Sequence, residues 1–119
     1  MTALRWAIET FGDVATNRDE RAARLVEEAI EFAQAEGVPR SVVEKILARV
    51  YSKPAGDPLA ELQGVALTLD SCAENLGDTV EAATARELAR VRSLPKSEWT
   101  KRHDAKVAAG FANLPPVNT

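Results

Sequence analysis

The chain has 119 residues, 45% of them apolar and 28% charged, with a formal net charge of −3, the balance of one soluble globular domain. The acidic balance excludes a protein that tracks DNA or RNA along a basic stripe, and no apolar run approaches the ~20 residues of a membrane span. A single cysteine, Cys72, leaves no internal disulfide. The N-terminus also lacks the basic and apolar regions of a secretory signal, so a cytoplasmic setting is expected, bacterial or that of a phage host.

Taken in chain order, the punctuation by Gly, Pro, Asn and Asp predicts helices throughout. "TALRWAIETFG" places Leu4, Ala7, Ile8 and Phe11 at helical spacing. Asn17 is a good N-cap for "RDERAARLVEEAIEFAQAEG", which Gly37 should close. "RSVVEKILARVYSK" carries a stripe of Val42, Val43, Ile46, Leu47, Val50 and Tyr51. Asp57 followed by Pro58 reads as N-cap and first residue of "PLAELQGVALTLDSCAENLG". That helix is apolar over most of its circumference and is expected to be the most buried. Asp78 or Thr79 opens "VEAATARELARVRSL", "PKSEWTKRHDAKVAAG" forms a last helix or extension, and residues 111–119 read as a loose tail. With no period-two pattern, the expected architecture is all-α: a single domain, 1–119, built as a bundle of about four main helices.

Two acidic clusters interrupt this pattern. Glu28 and Glu31 are three apart with Glu27 alongside, and Asp57 and Glu61 are four apart at the start of the apolar helix. Like charges at those spacings mildly destabilise a helix. Such runs are usually solvated surface, but carboxylates projecting from facing helices also suit hard divalent cations, which take oxygen ligands.

The order of these clusters, "RLVEEAIEFAQAEG" and then "VYSKPAGDPLAELQGVALTL", resembles the all-α nucleoside triphosphate pyrophosphatases, the MazG-like superfamily. Their signature is EExxE on one helix and ExxD at the start of a later apolar helix. Glu27, Glu28 and Glu31 match the first motif, and Glu61 the first position of the second; Gly64 stands where the family pattern has Asp. The resemblance implies a Mg²⁺-dependent enzyme, with Mn²⁺ as a substitute, that splits a nucleoside triphosphate into monophosphate and pyrophosphate. It implies Glu28, Glu31, Glu61 and Asp57 as metal ligands, with Glu27 or Glu31 orienting the attacking water. Lys101, Arg102 and Lys106 near the C-terminus, and Lys53 beside "PAGD", are its candidate phosphate-binding cations, each a solvated surface charge otherwise. Family analogy favours a purine substrate such as dGTP, and pairing into a homodimer or homotetramer.

Trp6, Phe11 and Trp99 are candidates to stack on a base, though aromatics at this spacing more often form core; Asn75 and Gln63 read as buried groups able to meet a base edge. His103 has no partner at ligand spacing and is expected to be exposed. As the lone histidine it rules out a di-iron bundle, which needs Glu-x-x-His motifs. The alternative function is a helical interaction or regulatory module that keeps the fold without catalysis, with Gly64 as its mark.

Overall fold

Each predicted helix forms, and the signals that start and stop it are those the local chemistry requires. The computed structural model describes residues 1–111, and the tail expected over 111–119 lies, beyond its first residue, outside the described residues. In chain order the helices are α1 (Ala3–Phe11), α2 (Arg18–Ala35), α3 (Arg40–Tyr51), α4 (Pro58–Asn75), α5 (Val80–Arg92) and α6 (Lys96–Ala108), with a 3₁₀ turn, Gly12–Thr16, after α1. The architecture is all-α, and no strand occurs among the described residues. None of these helices is long and apolar enough to cross a membrane.

Side-chain oxygens satisfy the orphan amides at several helix starts. Thr2 accepts from Arg5 N, Asn17 Oδ1 from Glu20 N, Asp57 Oδ2 from Ala60 N and Thr79 Oγ1 from Ala82 N, each at 3.1 Å. Thr79, rather than Asp78, therefore caps α5 through its side chain. Gly37 ends α2 with φ of 85°, a left-handed conformation that a side chain resists. The 3₁₀ turn was not legible in the sequence.

The chain divides into two compact units, Met1–Ala29 with Arg86–Thr119, and Ile30–Ala85. In the first, α1 packs against the 3₁₀ turn and α6. Its buried positions are Ala7, Thr10, Ala15, Glu20, Val91, Thr100 and His103. An aromatic cluster joins them: Trp6 meets Phe11 and Trp99 edge to face at 5.8 and 5.7 Å, and Phe11 meets His103 at 5.5 Å. Trp99 also donates its indole N–H to the Val91 carbonyl at 3.1 Å. Edge-to-face pairs contribute about 0.5–1.5 kcal/mol each beyond the area they bury.

The second unit holds the end of α2, α3, α4 and the start of α5. None of its side chains is buried, and residues 44–71 are exposed without interruption. This reverses the expectation that α4 would be the most buried helix: among the described residues its apolar side chains are exposed or only partly covered. Gln63 and Asn75, expected to be buried, are exposed with it.

Candidate functional site

The first acidic motif is assembled by one helix. The boundary between the two units falls after Ala29, but α2 runs unbroken through it, so helix geometry alone sets Glu27, Glu28 and Glu31 on adjoining turns. Each offers a carboxylate oxygen, and the three lie within 4.8 Å of one another. Two carboxylates at that separation repel by about 1 kcal/mol in water and about 3.5 kcal/mol at the effective dielectric of a protein surface. Glu27 is half-buried, Glu28 and Glu31 are exposed, and exposed acidic groups of this kind are also common where no ion binds.

Cations already gather on one side of the cluster. Lys106 Nζ of α6 donates to Glu27 Oε1 at 2.6 Å, and Arg24 NH1 stands 3.6 Å from the same oxygen. Arg24 Nε lies 3.1 Å from Glu20 Oε1 one turn earlier, a charge contact without hydrogen-bond alignment. The Glu20 carboxylate is fully enclosed and also accepts from Arg21 Nε at 2.6 Å. His103 Nδ1 sits 3.8 Å from Glu20 Oε1. His103 is therefore buried, not exposed as the sequence suggested, because the packing of α6 against α1 encloses its ring against Phe11. Burial pushes its pKa below the ordinary histidine value; Glu20 and Asp104 oppose the shift, and Arg24 and Arg21 reinforce it.

Nothing in the sequence singled out this ionic chain. Arg24 stands four residues after Glu20 and three before Glu27, spacings at which opposite charges meet on a helix, and that was the available signal.

In the unit Ile30–Ala85, Asp57 and Glu61 have local tasks. Asp57 caps α4, and its other oxygen remains open to solvent or an ion. Glu61 stands in the first turn, and its carboxylate folds over Gly56, where a Cβ would come within 2.5 Å of Oε1. Gly64 faces open space, with nothing within 4 Å of an added Cβ, so no close backbone approach accounts for the glycine.

Of the four predicted phosphate-binding cations, Lys106 reaches the acidic cluster. Arg102 pairs with Glu98 at 3.1 Å and lies 4.8 Å over the Trp99 ring. Lys53 and Lys101 are exposed, and neither has an ion pair among the described residues. Trp6 contacts both Phe11 and Trp99, the core role that their spacing favoured. Glu31 has no hydrogen bond or ion pair among the described residues.

Octahedral Mg²⁺ holds oxygens at 2.0–2.1 Å, so two of its ligands stand ~3 Å apart when adjacent and ~4.2 Å apart when opposite. Three ligands of one ion include at least two adjacent pairs, so carboxylate oxygens of Glu27, Glu28 and Glu31 standing as far as 4.8 Å apart would have to close by up to about 2 Å to share it. The residues fit a hard cation in type, and water or phosphate oxygens would have to complete the shell. Compared with protein-family models, curated proteins and solved structures, the chain finds no match.

Proposed function

We propose that the chain is a Mg²⁺-dependent nucleoside triphosphate pyrophosphohydrolase, which cleaves a ribo- or deoxyribonucleoside triphosphate into the monophosphate and pyrophosphate. The observation that carries this reading is the convergence of Glu27, Glu28 and Glu31 within 4.8 Å on one helix, in the EExxE spacing. Mg²⁺ bound there, with Mn²⁺ as a substitute, would neutralise phosphate charge and acidify a water. In this reading Glu28 and Glu31 would hold the ion, and Glu61 and Asp57, which stand outside the cluster of three, would have to join them as further ligands. Glu27 or Glu31 would orient the water and take its proton as the water oxygen bonds to a phosphorus of the α–β anhydride and the anhydride P–O bond breaks, parting monophosphate from pyrophosphate.

Lys106 now neutralises Glu27. In the working enzyme it would exchange that partner for a phosphate oxygen, joined by Lys53, Lys101 and Arg102. The partners are then a nucleoside triphosphate, a purine by preference, and further copies of the chain in a homodimer or homotetramer, in the cytoplasm. The second reading, a helical interaction module without catalysis, draws on the same Lys106–Glu27 pair, since an internal cation already satisfies that carboxylate.

Release of pyrophosphate and monophosphate from the eight common NTPs and dNTPs, with Mg²⁺ and then Mn²⁺, separates the two. Metal-dependent turnover that Glu31→Gln abolishes is the expected result. No turnover, with no rise in melting temperature on adding either metal, would leave the interaction module.

A further inference from the structure

The unit Ile30–Ala85 keeps in water what folded proteins ordinarily bury. Ile46, Leu47 and Val50 of α3 are 56–58% exposed, and Leu59, Leu62 and Leu67 of α4 are 56–74% exposed. With five more large apolar residues between Val42 and Leu76 at 39–82% exposure, they leave on the order of 1,000 Å² of apolar side chain uncovered. A stable interface takes about 800 Å² from each partner.

Charge is divided between the same two helices. α3 carries Arg40, Lys45 and Arg49 against Glu44, and Arg40 is already paired with Glu44 at 2.8 Å. That leaves Lys45 and Arg49 as its unpaired charges. α4 carries Glu61, Asp70 and Glu74 with no basic residue. One helix is thus apolar and basic, the other apolar and acidic, and both remain exposed in the chain.

We propose that this unit is the interface of a homodimer, in which α3 of each copy packs against α4 of the other. Every copy brings both halves of the match. A two-fold axis therefore satisfies both at once, while a partner of one sign would satisfy only one helix. The proposal names the surface for the pairing given above. It rests on apolar area and charge, not on nucleotide chemistry, and its test reads mass and not turnover.

The test uses two full-length variants in analytical ultracentrifugation at micromolar concentration. One carries Lys45→Glu with Arg49→Glu, which makes both helices acidic; the other carries Asp70→Lys with Glu74→Lys, which makes α4 basic like α3. The unmodified chain should sediment at twice its 12.9 kDa, or four times for a dimer of dimers. Each variant alone should have its dissociation constant raised by about a hundredfold or more, and an equimolar mixture should recover the dimer. A chain with all four reversals should also dimerise, which guards against a variant that merely fails to fold. An unmodified chain that sediments at the monomer mass of 12.9 kDa would overturn the proposal. So would reversed chains that still self-associate, or a failure of both the mixture and the fourfold variant to recover the dimer.

Discussion

Helices that carry apolar residues meet opposite fates in the two units. In Met1–Ala29 with Arg86–Thr119, aromatic rings from α1 and α6 interlock, and an enclosed Glu20 is ringed by Arg21, Arg24 and His103. In Ile30–Ala85 α3 and α4 also carry large apolar residues, yet no side chain is buried. The difference teaches that an apolar face states a need for cover without naming its source. α1 finds cover on α6, while α3 and α4 stay largely exposed among the described residues.

Substitutions sharpen the contrast. Trp6→Ala removes a ring that meets both Phe11 and Trp99, and should cost about 3 kcal/mol. Chemical unfolding should show this equally at low and high protein concentration, since the contacts lie within one chain. Leu62→Ala on α4 separates two cases. On a surface that stays in water it would change stability by no more than about 0.5 kcal/mol. Under a second copy it should cost about 2 kcal/mol or more, and the melting temperature should rise with protein concentration. A concentration-independent melt with no loss would put α4 among true surfaces.

The third effect is confined to one pH window. Burial lowers the His103 pKa below the ordinary histidine value of about 6.5. Above about pH 7 the ring is neutral in both the folded and unfolded chains and adds no pH dependence. As pH falls through 6.5, the unfolded chain takes a proton that the folded chain resists. Stability is therefore lost until pH drops below the folded pKa, where the loss levels off. Melting temperatures between pH 7.5 and 5.5 should fall more steeply for the unmodified chain than for His103→Gln. Parallel curves would mean that the ring is solvated in solution.

The carboxylate motif was legible from the sequence because spacings of three and four decide which side chains adjoin on a helix. Glu27, Glu28 and Glu31 needed nothing beyond α2 to converge. The caps at Asn17 and Asp57 were legible for the same reason, since each bonds an amide three residues on. His103 was not legible: a lone histidine in a polar stretch reads as surface until α1 is known to pack against α6.

By itself the sequence determined the helices, their ends and the acidic cluster, all set by interactions within about one turn. The tertiary structure alone decided that Lys106 would meet Glu27 across 79 positions. It also decided that Trp6, Phe11 and Trp99 would form a core, and that α3 and α4 would stay uncovered. The hydrophobic effect acts on area without direction, so a local pattern specifies which face seeks burial and leaves the partner to the arrangement of the whole chain.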